Sequence, residues 1–206
     1  MEIDLVSGIN FANLSFLMAR KIRELIPGAS YHVCARINRQ ELIFNTHENE
    51  FKKLFMSYLK QAKAKYPFKL YNFVIMGNHI HLQVEPISDT ELPRLMQWLL
   101  SNFARAYNRH FKYRGHLWYD RYKSKVIKTV RQFINTFLYI ANNPVRARLV
   151  QDPLAWSFSG IAVLTRKSIE KIPIEKPDKL LSYFIEKYTE GLYFKKLSKK
   201  SKFIGF

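Results

Sequence analysis

Two runs of β-forming residues, Lys69 to Met76 and His79 to Glu85, flank the dipeptide Gly77-Asn78. A two-residue connection of this composition favours a tight hairpin, so the two runs are predicted to pair as antiparallel strands. The rest of the chain has to be arranged around that pair. Upstream, Ser30 to Arg36 reads as a strand. Phe51, Leu54, Phe55, Tyr58, Leu59 and Ala62 then recur at helical spacing until Tyr66-Pro67 stops the pattern.

Downstream, Leu92, Leu95, Met96, Leu99, Leu100 and Phe103 make a second helical stripe that runs into the basic and aromatic stretch Tyr107 to Tyr113. Tyr122 to Ile127 suits a fourth strand. Phe133, Ile134, Phe137, Leu138 and Ala141 make a third stripe. Because the residue before a proline avoids helical geometry, Pro144 predicts an end near Asn143. The order strand, helix, strand, strand, helix, strand, helix predicts an α+β domain. Its expected form is a ferredoxin-like (RRM-like) antiparallel sheet with helices packed on one side. That domain is expected over residues 26–160, between an N-terminal tail at 1–25 and a basic C-terminal extension at 161–206.

Charge narrows the partners. The chain carries 34 Lys and Arg against 16 Asp and Glu, a net of +18. Residues 101–150 hold eleven of the basic residues against the single acid Asp120. Solvated faces normally mix signs, so this points to a polyanion. No run approaches the roughly 18 apolar residues of a spanning helix, so nucleic acid is favoured over a membrane. Arg105, Arg109, Arg114, Arg121, Lys123, Lys125 and Arg146 are the candidate phosphate contacts. Trp118, Tyr119 and Tyr122 lie among them, as side chains that stack unpaired bases would. Core packing is the competing reading for some of these aromatics.

Cys34 is the only cysteine, which excludes an intrachain disulfide or a cysteine-based zinc site. The acidic N-terminus does not read as an export signal, and a cytoplasmic location is expected. The extension is Pro- and charge-rich at Lys171 to Lys179. It continues through a possible short helix at Leu180 to Tyr188 to a lysine cluster at Lys195 to Lys202. It reads either as a solubilising tail or as a DNA-contacting arm.

His79 and His81 are two apart on a predicted strand, so their imidazoles share a face, while Ile80, Leu82 and Val84 take the core side. Paired imidazoles invite a metal, although two histidines on a strand are by themselves a weak signal. On the third helix Asn135, Tyr139, Asn142, Asn143 and Arg146 cluster opposite the apolar stripe, and Tyr139 and Asn143 are four apart. A cation held by His79, His81 and Asn143 can polarise a phosphodiester while the tyrosine oxygen attacks it. The chain has no glycine-rich phosphate loop, and such an exchange needs no ATP.

Val74-Ile75-Met76-Gly77-Asn78-His79-Ile80-His81-Leu82 resembles the His-hydrophobe-His signature of single-tyrosine transposases, most closely the REP-associated tyrosine transposases of the IS200-like group. Further matches are Pro27-Gly28 before Tyr31-His32-Val33, Leu42-Ile43-Phe44, Gly115-His116-Leu117-Trp118 with Arg121-Tyr122-Lys123-Ser124, and Tyr139-Ile140 with Asn143-Pro144-Val145-Arg146-Ala147. The resemblance implies that His79 and His81 bind metal, with Asn143 as third ligand. It also implies that Tyr139 is the nucleophile taking a 5′-phosphate, that Mg²⁺ or Mn²⁺ is the cofactor, and that the substrate is single-stranded or hairpin DNA. A monomer or a homodimer is compatible with it. Gly77 stands where many relatives have proline, which is expected to loosen the turn. Residues 1–17 precede Met18-Ala19-Arg20, which looks like the usual family start. The main alternative is a non-catalytic ferredoxin-like RNA- or DNA-binding module, in which Tyr139 would have no chemical role.

Overall fold

Met76 N donates to His79 O at 2.9 Å, so Gly77 and Asn78 alone turn the chain between strands β2 (Phe68–Ile75) and β3 (His79–Pro86). The computed structural model describes residues 25–26, 28–46, 49–87, 91–165, 168, 171–175 and 183. The turn is braced from outside. Gly77 O accepts from Phe44 N at 3.0 Å, and a Cβ on Gly77 would meet Asn45 Nδ2 and Leu42 Cδ2 at 2.9 Å. A glycine here therefore lets the neighbouring segment close on the turn, where loosening was expected.

β3 also pairs antiparallel with β1 (Ser30–Arg36), and β1 pairs antiparallel with β4 (Lys123–Ile127), giving the order β2-β3-β1-β4. This is the expected ferredoxin-like sheet. Strand period two then sorts the side chains. Tyr31, Val33, Ala35, Leu70, Phe73, Ile75, Ile80, Leu82 and Val84 are buried in the main core. Helices α1 (Glu50–Lys65) and α2 (Glu91–Phe111) cover that face. Phe44 stacks on Phe103 with centroids 5.1 Å apart, and Phe55 meets Phe103 edge-on at 5.3 Å. Each such ring taken from water contributes about 1.5–3 kcal/mol.

The third helix departs from the one-sided arrangement. α3 (Val130–Ala141) lies across the other face of β2 and β3. Its Ile140 joins the buried Val74 and Met76, and Asn72 Nδ2 donates to Phe137 O at 2.9 Å. Gln83 Nε2 donates to Phe133 O at 3.2 Å. The physical reason is that this face is not uniformly polar: Val74 and Met76 offer an apolar seat, and buried amides bond the helix backbone around it. Thr129 caps the helix by accepting from Gln132 N at 3.1 Å.

α3 ends at Ala141, two residues short of the expected position. The chain then makes one further turn, α4 (Asn143–Arg146), with Pro144 in its first turn where its missing N–H costs nothing. A last short helix, α5 (Gly160–Leu164), sits against β2 so closely that a Cβ on Gly160 would lie 2.5 Å from Asn72 Oδ1 and 2.9 Å from Phe73 N.

Residues 171–175 of the extension are packed, which neither reading of it anticipated. Ile172 is buried in the main core, Glu175 N donates to Leu70 O at 2.9 Å, and Lys63 pairs with Glu175 at 3.0 Å. The segment bonds to the backbone of the outer strand β2, a way of protecting a sheet edge. Except for Leu25 the tail at 1–25 lies outside the described residues, as do Lys195 to Lys202 and, Tyr183 apart, Leu180 to Tyr188. No described helix is long and apolar enough to cross a membrane.

Candidate active site

On the face that α3 crosses, register places His79 opposite Arg36, His81 opposite Cys34 and Val74, and Gln83 opposite His32 and Asn72. Lys123 and Lys125 of β4 lie one strand further out on the same face, opposite Cys34 and His32. The two histidines of the signature are perpendicular neighbours, with centroids 5.1 Å apart and planes at 86°. Tyr139 reaches them from the helix. Its ring is 5.5 Å from that of His81 and 5.6 Å from that of His32, edge-on to both.

Several contacts hold Tyr139 where it is. It packs with the half-buried Trp156 against Val74, Met76 and Ile140, and Trp156 Nε1 donates to Ile75 O at 3.1 Å. The buried Lys52 ammonium lies 4.9 Å from the Trp156 ring centroid, and it donates to Asn45 and Asn49 at 2.9 and 2.5 Å. The Arg146 guanidinium stands 5.3 Å from the Tyr139 ring centroid, within cation–π range. The short turn α4 thus delivers both Arg146 and the buried Asn143 to the site.

The imidazoles are engaged at Nδ1. Asn78 Nδ2 donates to Gln40 O at 3.0 Å, which fixes its amide so that Oδ1 accepts from His79 Nδ1 at 2.8 Å. His79 therefore carries its proton on Nδ1 and has a lone pair on Nε2. His81 Nδ1 lies 3.0 Å from His32 Nε2. Burial, and then the nearby Arg36 charge, lowers the His79 pKa, while a hydrogen bond with Asn143 works the other way. Burial also holds His81 well below 6.5, helped by His32, His79 and Arg36. His32 falls to about 4 through burial and then Lys125. All three rings are neutral at pH 7, the form in which imidazole ligates a metal. Among the described residues no three His, Cys, Asp or Glu side chains converge as a metal cluster. His79 and His81 could hold a cation only with a further donor such as the Asn143 amide oxygen.

With this fold and this convergence in view, comparison with known proteins gives one consistent family. The family profile described as "Transposase IS200 like" matches residues 26–143, more than half of the chain. The chain belongs to the IS200-like transposase family. It is 26% identical over 154 residues to a putative REP-associated tyrosine transposase of Haemophilus influenzae, covering 69% of this chain and 85% of that protein. The solved structure of a REP-associated tyrosine transposase bound to a REP hairpin superposes with a TM-score of 0.61 at 17% identity. That match covers 77% of this chain and 93% of the other and shows the shared fold.

Within this IS200-like domain the expected DNA contacts divide. Lys123, Lys125 and Arg146 are exposed around the histidine face. Arg105 and Arg109 are exposed on α2, whose packing is on the other side of the sheet, and Arg114 and Arg121 are exposed in the connection to β4. Of the three aromatics only Tyr119 is free to stack, at 72% exposure. Trp118 packs on Phe55 and Phe103 and donates from Nε1 to Leu100 O, while Tyr122 is buried. Those two pack in the core and do not offer a face to an unpaired base, contrary to the stacking expected of them.

Two residues at the site were not singled out as part of it. Arg36 and His32 are marked only by strand parity, which becomes readable once β1 is known to pair with β3. Cys34 is half-buried on the histidine face, where burial pushes its thiol up to about 11. The Glu85 carboxylate, at the end of β3, is occupied by donors from Ser30, Lys69 and Tyr71.

Proposed function

We propose that this transposase-family protein cleaves and rejoins single-stranded DNA beside a hairpin, through a phosphodiester formed between Tyr139 and the 5′-phosphate. The observation that carries the reading is the approach of Tyr139, on a helix, to the neutral His79 and His81 pair on a strand. A core tyrosine would have no reason to be held there by Arg146, Trp156 and two imidazoles. The hairpin part of the reading rests on similarity to a transposase solved with a REP hairpin.

His79, His81 and Asn143 would hold a divalent cation, Mg²⁺ or Mn²⁺ by family resemblance, which when bound polarises the scissile phosphodiester. The Tyr139 oxygen attacks phosphorus and gives up its proton. The bond to the 3′-oxygen breaks, and that oxygen leaves as a hydroxyl while the 5′-phosphate stays on Tyr139. Attack by another 3′-hydroxyl reverses the exchange and restores a DNA phosphodiester, so one bond replaces another throughout. Lys123, Lys125, Arg146 and Arg36, around the histidine face, would neutralise phosphates flanking the scissile bond. Arg146 would also keep the phenol turned toward the histidines.

A labelled single strand ending in a hairpin, incubated with the protein and Mn²⁺, tests the reading by denaturing gel. A metal-dependent, protein-linked DNA band is expected. Undiminished cleavage in excess EDTA, or cleavage with both ends released and no adduct at any time, would contradict it.

A further inference from the structure

His79 has an unambiguous partner at Nδ1, because the Asn78 amide is fixed by its own bond to Gln40 O. His81 has no such amide. Its Nδ1 faces an imidazole nitrogen, Nε2 of His32, at 3.0 Å. A hydrogen bond between two neutral imidazoles has two forms, and they are not equivalent for a ligand. If His32 donates, His81 carries its proton on Nε2 and cannot bind a cation there. If His32 accepts, His81 keeps its proton on Nδ1 and presents a bare Nε2, as His79 does.

We propose that His32 is the positioning residue for His81, accepting from Nδ1–H so that the His81 imidazole is held in orientation with Nε2 free for the metal. The inference rests on the metal reading above. The geometry fits it: His32 is buried at 3% exposure, its ring centroid lies 5.0 Å from that of His81, and the Tyr139 ring stands edge-on to it at 5.6 Å. His32 is fixed on the central strand β1, in register with Gln83, two residues from His81. Outer partners of this kind set the tautomer and direction of metal-ligating histidines, and their loss typically weakens metal binding by about 10- to 100-fold.

Mn²⁺ titration followed by electron paramagnetic resonance, on the full chain without DNA, is the test. His32→Leu should bind Mn²⁺ about 10- to 100-fold more weakly than the unaltered protein. His32→Gln, which keeps an acceptor oxygen within reach of His81, should recover most of that loss. His32→Leu with unaltered Mn²⁺ affinity would overturn the inference alone, whereas an unaltered protein and a His79→Ala variant that both ignore Mn²⁺ would remove the metal reading and this inference with it. If His32→Leu does not fold, long-range ¹H–¹⁵N spectra of the unaltered protein in Mg²⁺ decide. They should show His81 protonated at Nδ1, and protonation at Nε2 would refute the proposal.

Discussion

The Tyr139 ring stands edge-on to the His81 imidazole, with centroids 5.5 Å apart and planes at 83°. This contact ties the helix that crosses the sheet to the strand carrying the histidine pair. It depends on the ring and not on the hydroxyl. Tyr139→Phe should therefore keep stability within about 0.5 kcal/mol, as substitutions that disturb no packing usually do. DNA cleavage should fall by about a thousandfold or more, the scale on which nucleophile removal acts. Thermal melts and initial cleavage rates on one preparation check both. Cleavage by the Phe variant at near the original rate would exclude Tyr139 as nucleophile.

Stability without metal should depend on pH through His32. Its folded pKa of about 4 lies below the ordinary 6.5, so between these values the unfolded chain binds the extra proton. The stabilisation from keeping it neutral is present above pH 6.5 and is lost as pH falls towards 4, up to about 3 kcal/mol. Denaturant midpoints across that window should fall less steeply for His32→Gln than for the unaltered protein. Identical slopes would mean that His32 is not buried in neutral form.

Gly160 should not tolerate a side chain. Its Cβ would meet Asn72 Oδ1 at 2.5 Å and the β2 backbone at 2.9 Å, and Asn72 is also the residue that bonds α3 through Phe137 O. Gly160→Ala is expected to cost about 1–3 kcal/mol, as over-packing does. Urea denaturation measures it, and an unchanged midpoint would show that α5 can shift off the strand.

The aromatics after α2 should separate into a binding residue and a folding residue. Tyr119→Ala should weaken single-strand binding by about 1–3 kcal/mol per lost stack. It should leave the melting temperature alone. Trp118→Ala removes a core ring and an indole bond to Leu100 O, and should cost about 3–5 kcal/mol of stability. Binding and melting data on the pair distinguish them. Equal effects of both on binding, with neither unfolding, would contradict the burial pattern.

Particular residues show how far the site was legible beforehand. The His79–His81 pair on one face followed from strand period, and Tyr139 with Asn143 followed from helix period, because both periods are local. The side of the sheet taken by α3 was not local: an apolar stripe can dock on either face, and only Val74 and Met76, among polar neighbours, favoured this one. His32 and Arg36 needed the β1–β3 register, which joins residues nearly fifty positions apart. Trp118 and Tyr122 read as exposed because their neighbours are charged, whereas Trp118 turns inward beside Phe55 and Phe103 and Tyr122 is buried in the same core. Residues 171–175 read as tail because proline and charge hide Ile172, whose docking depends on a strand edge that composition does not reveal.

The identity of the covalent residue is the most direct measurement. Trypsin should release the segment from Gln132 to Arg146, in which Tyr139 is the sole tyrosine. After reaction with a single-stranded hairpin substrate, removal of excess DNA by nuclease and digestion, mass spectrometry should find this peptide carrying a nucleotide 5′-phosphate. Its fragments should assign the added mass to Tyr139. A nucleotide on another tyrosine, or complete cleavage with this peptide always unmodified, would contradict the account.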